Sequence, residues 1–429
     1  MDRKHMIVQR AREFFAERFH DVIHMIQQDR QGLHGWEEPA YLRAVLRRAV
    51  REGATAEMAT TTVAVTPTEF GRAAGEPDRG QQREAIGQLL EAAVTALQKV
   101  SAGEKPELTP EEVLGLESAI LLYGRPALLV SQGHLASPTP FWNVLEDQRE
   151  DIELAQRGIG RIEMFGHPEY DWAGTGFLVN ETTLLTTRST VGIFAETNSE
   201  GQWQFRPGIT GWMNYQEDYQ RSPSAAYRIQ AILGVHDKYD LALLQVEPPQ
   251  QTVGSPIPLA LAAEPPPRLE GRQVYLVGYP VRDARRNEPE AIVRIFRDVY
   301  NVKRVQPGIL HGMLQFRDVQ LLKHDCAMLG HSAGSCLIDL ESHQVLGLHL
   351  SSRYLEGGVA IPLWVLRDDP MLQGAGVIYA KADAQEVQTV NSQLERLARS
   401  RHWPEAQAAI SSLYQRAFGS SPADKGGRQ

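Results

Sequence analysis

The chain has 429 residues, 42% of them hydrophobic and 23% charged, the composition of a globular protein that buries substantial cores. That length suffices for about two to four domains. The 53 acidic and 44 basic residues are interspersed and leave a net charge of −9, with no basic stripe carrying aromatics, which argues against nucleic acid as a partner.

Met1 to Phe15 is charged throughout and lacks the apolar region and small-residue cleavage site of a signal peptide. No run approaches ~18 consecutive apolar residues, so no membrane span is expected and the expected setting is cytoplasmic. Residues 1–52 read as an N-terminal helical region, with amphipathic patterns over 4–28 and 38–52. A Thr-, Gly- and Pro-containing stretch, 53–80, has the character of a linker, and 81–156 reads as a helical lead-in. Within it, Ile86, Leu89, Leu90, Ala93 and Leu97 share one helical face. The next helix opens with Thr109-Pro110-Glu111-Glu112, a capping signature, runs to about Tyr123 and stops at Gly124.

From about residue 157 the hydrophobic period changes from 3.6 to 2. Short Val-, Ile- and Leu-rich segments recur between Gly, Pro, Asn and Asp breaks: 161–165, 176–179, 183–187, 228–235, 241–246, 274–278, 335–340, 345–350 and 358–362. So many short strands predict an antiparallel sandwich or barrel rather than alternating α/β structure. The chain's two cysteines, Cys326 and Cys336, fall here, too few for a disulfide scaffold, and His324-Asp325-Cys326 is too compact for a zinc site. No metal and no cofactor are expected. Helical pattern returns after Ala380, with a C-terminal hairpin expected over 380–418 and a disordered tail at 419–429.

Three segments of this β-rich region carry chemistry in other proteins. The first is Gly174-Thr175-Gly176-Phe177-Leu178-Val179 with Leu184-Leu185-Thr186-Thr187-Arg188-Ser189; the second is Asp240-Leu241-Ala242-Leu243-Leu244. The third is Leu329-Gly330-His331-Ser332-Ala333-Gly334-Ser335 followed by Val345-Leu346-Gly347-Leu348-His349. In this order they resemble the triad strands of trypsin-like serine proteases, most of all the bacterial branch that includes the glutamyl endopeptidases. The resemblance covers roughly residues 157–372, about half of the chain. It implies a multidomain protein: an all-β trypsin-like double antiparallel β-barrel flanked by α-helical N- and C-terminal regions.

Carried over one position at a time, the resemblance exposes two losses. Ser189 stands at the catalytic histidine position and Ala333 at the nucleophile position, and only Asp240 keeps the family's residue type. In the working mechanism serine attacks, histidine moves its proton and aspartate orients the imidazole. Alanine offers no nucleophile, and serine has no group titrating near neutrality to act as the base. The resemblance places the oxyanion site at the backbone of His331 and Ala333. The family usually has glycine at the first of these, for conformational reasons. His349 matches a histidine that lines the primary specificity pocket of glutamyl endopeptidases, with Ala327 and Ser351 as further walls. The expectation is a pseudoprotease: a non-catalytic peptide- or protein-binding or regulatory protein whose helical ends recruit partners or mediate self-association.

Other readings stay open at this level. Gly330-His331-Ser332-Ala333-Gly334 fits the G-x-S-x-G elbow of α/β-hydrolases, which demands a strand before it and a helix after it. An active serine endopeptidase remains an alternative, with Ser332 or Ser335 attacking and His331, His236 or His349 as base. A laboratory Ser→Ala change at position 333 would leave Ser189 unexplained. The barrel could also be a structural subunit with a closed cleft.

Overall fold

The structure is a computed structural model that describes residues 3–15, 18–32, 79–103, 105–219, 226–248, 255–280, 300–327, 332–353 and 357–380. The expected helix at 38–52, nearly all of the 53–80 linker, the C-terminal hairpin beyond Ala380, the tail and His331 lie outside these residues. None of the described helices is long and apolar enough to cross a membrane. The chain divides into two units: Met1–Ala127 with Pro138–Asn143 and Arg282–Tyr300, and Leu128–Ser137 with Val144–Val281 and Asn301–Gln429.

The first unit is helical. Where the period predicts one helix over 4–28, there are two, α1 (Arg3–Phe15) and α2 (Phe19–Gly32). Ile7, Ala11 and Phe15 are buried on α1, and Val22 and Ile26 on α2, so each helix keeps an apolar face and the division leaves no gap in the periodicity. The rings of Phe15 and Phe19 meet edge-on across it, with centroids 6.3 Å apart. Helix α3 (Arg79–Ala102) buries Leu90, Ala93 and Leu97. Helix α4 (Pro110–Ala119) starts with the expected capping box: Glu112 N donates to Thr109 Oγ1 at 3.2 Å, and Thr109 N donates to Glu112 Oε2 at 2.9 Å. It leaves through a π-turn, Ile120–Gly124, in which Arg125 N donates to Ile120 O at 2.8 Å.

The second unit begins with a short hairpin, Leu128–Ser131 and His134–Leu135, in a stretch whose pattern reads as helical. Two closed antiparallel barrels follow. The first consists of β1 (Ile159–Phe165), β2 (Trp172–Leu178), β3 (Thr183–Thr186), β4 (Thr210–Asn214), β5 (Tyr227–Val235) and β6 (Ala242–Val246). Its order is β6-β3-β2-β1-β4-β5, closed by β5 on β6, around Ile162, Leu178, Leu184, Phe194, Met213 and Leu244.

The second barrel is built from β7 (Gln273–Gly278), β8 (Arg304–Phe316), β9 (Val319–His324), β10 (Cys336–Asp339), β11 (Val345–Arg353) and β12 (Gly357–Pro362). The order β7-β10-β11-β12-β9-β8 is closed by β7 on β8, around Val274, Leu276, Leu310, Leu322, Leu337 and Leu346. The trypsin-like double barrel with helical segments is thus the architecture observed. Because a strand, β10, follows Gly334 in place of a helix, the α/β-hydrolase elbow is excluded.

Candidate functional site

The histidine and aspartate positions meet directly. Thr187 ends the turn after β3 and caps a short helix, α5 (Arg188–Phe194), accepting a hydrogen bond from Thr190 N at 3.2 Å. This sets Ser189 in the first turn, against Asp240 just before β6. Ser189 N donates to Asp240 Oδ1 at 2.7 Å, and Ser189 Oγ donates to Oδ2 at 2.9 Å. Both carboxylate oxygens are therefore engaged, by an amide and a hydroxyl, at the point where a triad needs an imidazole. A hydroxyl so held has no proton-accepting capacity near neutral pH. Asp240→Ala removes two charge-assisted bonds at a half-exposed position and is expected to cost about 1–2 kcal/mol in denaturant unfolding, with Asp240→Asn costing less.

The nucleophile position lies on a tight turn, Ser332 to Ser335, closed by Ser335 N donating to Ser332 O at 3.1 Å. Gly334 has φ +88° and donates its N–H to His349 O at 3.0 Å. A Cβ there would lie 2.0 Å from Thr175 O, the carbonyl on β2 to which Thr186 Oγ1 donates at 2.8 Å. Thr175 N in turn donates to Ala333 O at 3.3 Å. A Cβ built on neighbouring Gly174 would fall 2.8 Å from Thr190 Oγ1 and 3.3 Å from Ala333 O. Strand β2 thus brings the segments of Ser189 and Ala333 together.

Residues 174–348 match the family model described as the trypsin-like peptidase domain. The chain carries a domain of trypsin-like fold. Comparison with curated proteins gave no match. Among solved structures, the chain is similar to an HtrA-type protease, AlgW with a decapeptide, at 13% identity over 56% of this chain and 68% of that one, with a TM-score of 0.36. It is also similar to the active form of the Rv3671c protease from M. tuberculosis, at 16% identity over 57% of this chain and 90% of that one, TM-score 0.36. The inactive form of that protease gives 17%, 56% and 98%, with a TM-score of 0.35.

Around this trypsin-like site, the substitute groups are held elsewhere. Ser332 and Ser335 are buried, at 1% and 0% exposure. His236 Nδ1 accepts from Lys238 N and Tyr239 N, each at 3.0 Å, and Nε2 lies 3.2 Å from Asp369 Oδ2, so its ring nitrogens are occupied. No residue of the set Ser332, Ser335, His236 and His349 is hydrogen-bonded, side chain to side chain, to another of the set in the described structure.

His349 lies on β11 with 1% exposure, its Nδ1 hydrogen-bonded at 3.0 Å to Nε2 of His324 on β9. Ala327 is half-buried just beyond β9, and Ser351 is exposed on β11 past a register shift that follows His349. His324 is the site residue that the sequence does not reveal. Burial pushes His324 down to about 4, and burial together with His324 pushes His349 well below its usual value. Unfolded, His324 takes up its proton near 6.5; in the folded domain it does so only near 4. Stability is therefore complete above about pH 6.5 and falls as pH drops towards 4, because the unfolded state then binds more protons. Urea midpoints are expected to decline between pH 7 and 5 in the parent chain and to change less in His324→Gln.

Gly358 on β12 makes room for the pair. A Cβ there would lie 2.6 Å from Cε1 and Nε2 of His324 and 2.9 Å from Cε1 of His349. Since both rings are enclosed, Gly358→Ala is expected to cost about 1–3 kcal/mol by overpacking.

Proposed function

We propose that this trypsin-like domain binds extended peptide or protein segments without cleaving them, as a pseudoprotease. The observation that carries the proposal is the Ser189–Asp240 contact: the acid is in place, its partner is a hydroxyl, and Ala333 has no group to attack a carbonyl. Loss of triad members removes on the order of 10⁶ in rate, and the losses do not add, because the residues act as a unit. An extended peptide can pair with an exposed strand segment even when no chemistry follows. By its resemblance to glutamyl endopeptidases, His349 lies where the first specificity side chain is received, and an acidic or small side chain is the group proposed there. The helical regions are proposed to recruit partners or to mediate self-association, in the cytoplasm.

A fluorophosphonate probe tests the absence of chemistry, and anisotropy with fluorescent peptides tests binding. The expected result is no covalent labelling, together with saturable binding of peptides that mass spectrometry recovers intact. Labelling that disappears on Ser332→Ala or Ser335→Ala would establish an active endopeptidase instead.

A further inference from the structure

A cleft of about 550 Å³ opens at the end of the second barrel where β7 begins and β10 finishes, the end away from Ala333. Its lining belongs to the second unit alone. Val144 and Gln148 come from the segment that precedes the first barrel, and Arg268 and Arg272 from the turn into β7. Ile309 comes from β8, and Leu340 and Glu341 from the turn after β10. Three apolar residues therefore share a space with two arginines, and Glu341 is the acidic member of the lining.

The polar groups of the cleft are held from behind. Arg272 Nε and Nη2 donate to Asp339 Oδ1 and Oδ2 at 2.6 and 2.7 Å. Asp339 Oδ2 also accepts from Ser342 N at 2.9 Å and Ser342 Oγ at 2.7 Å, so this buried carboxylate is fully engaged. Arg272 Nη1 is left to Glu341, whose carboxylate lies 2.8 Å away on a side chain 79% exposed. An ion pair at that exposure is worth little and exchanges readily. Arg268 is exposed and has no hydrogen-bond or ionic partner among the described residues. Gln148 is oriented by His343, which burial holds neutral against the pull of Asp151 and Asp339. His343 Nε2 lies 3.0 Å from Gln148 Oε1, an oxygen that can only accept, so Nε2 carries the proton and Nδ1 accepts from the Tyr275 hydroxyl at 3.0 Å. With its oxygen taken, Gln148 has its amide nitrogen left to offer.

We propose that the cleft binds a small organic carboxylate, with its charged end on Arg268 and Arg272 and its apolar body over Val144, Ile309 and Leu340. Glu341 marks where the charged end goes: a carboxylate oxygen already meets Arg272 Nη1 there, and the guest takes its place. With Glu341 turned to solvent, two arginines face Asp339 and the guest, and the charges balance. A guanidinium fixed by one carboxylate is preorganised for a second, because little further ordering of its side chain is needed. The Gln148 amide adds a neutral donor. Binding is non-covalent, so no bond is made or broken. None of these residues belongs to the site of Ser189, Asp240 and Ala333, and the inference stands apart from the peptide-binding function.

Titrations of the full chain near neutral pH use 4-methylpentanoate and phenylacetate, each beside its neutral amide, and are read by ligand-observed NMR. Each carboxylate is expected to bind saturably and about tenfold or more tighter than its amide. Glu341→Gln removes an exposed competitor and is expected to tighten carboxylate binding by about threefold. Arg268→Gln is expected to weaken it by about tenfold. Both changes fall on exposed side chains, and circular dichroism confirms folding; Arg272 is kept, because its loss would strand the buried Asp339 carboxylate. Three results each overturn the proposal: amides that bind as well as the carboxylates, no saturable binding of either carboxylate, or an affinity indifferent to both substitutions. Each of them leaves the peptide-binding function standing.

Discussion

The double variant Ser189→His with Ala333→Ser is expected to react with a fluorophosphonate about 10²-fold or more faster than either single variant. Asp240 already directs both oxygens at residue 189, the amide at 2.7 Å and the hydroxyl at 2.9 Å, so an imidazole placed there meets a carboxylate in position. The 333 segment is fixed independently of its side chain, because its contacts to Thr175 and His349 run through main-chain atoms. Either change alone provides a base with no nucleophile or a nucleophile with no base, and neither recovers appreciable rate. Labelling kinetics, with circular dichroism to confirm folding, decide the outcome. A folded double variant that reacts no faster than the singles would count against a working oxyanion site at His331 and Ala333, where the resemblance places one.

Gly334→Ala is expected to destabilise the domain by about 3 kcal/mol or more. At φ +88° a side chain is strained by about 1–2 kcal/mol whatever surrounds it. Here the added Cβ would also stand 2.0 Å from a carbonyl oxygen that β2 and Thr186 hold in place. For a domain of this size, such a loss lowers Tm by about 6–12 °C. Ala333→Gly, one residue earlier, meets neither constraint and serves as the control. A Gly334→Ala midpoint within a degree or two of the parent would mean that the turn shifts freely, and with it the tie between Ala333 and β2.

Much of the fold was legible because many strands, such as Thr183–Thr186, Gln273–Gly278 and Cys336–Asp339, are short apolar runs between turn residues and are buried nearly throughout. Strand β8 escaped notice for physical reasons: Pro307 and Gly308 break the propensity, and from His311 to Phe316 most of its residues are exposed, so no inward–outward alternation marks it. Strand β4, five residues with a glycine, is too short to show a period. At the candidate site, the motifs that carry Ser189, Asp240 and Ala333 are each local in sequence, and the contact of Ser189 with Asp240 joins two of them. His324 was not legible in this way, because its partner is set by the order β9-β12-β11, in which a glycine of the middle strand lets two rings meet across it. That adjacency is a property of strand order and leaves no trace in the residues beside His324.

The serine at position 189 has a consequence for how such a domain persists. A carboxylate with no donor facing it would leave its charge unmet by the protein at this corner. Here the replacement hydroxyl and its own amide occupy both oxygens of Asp240 and anchor the start of α5. Asp240 thus caps the first turn of α5 through these two bonds, and the stability of that corner rests on them.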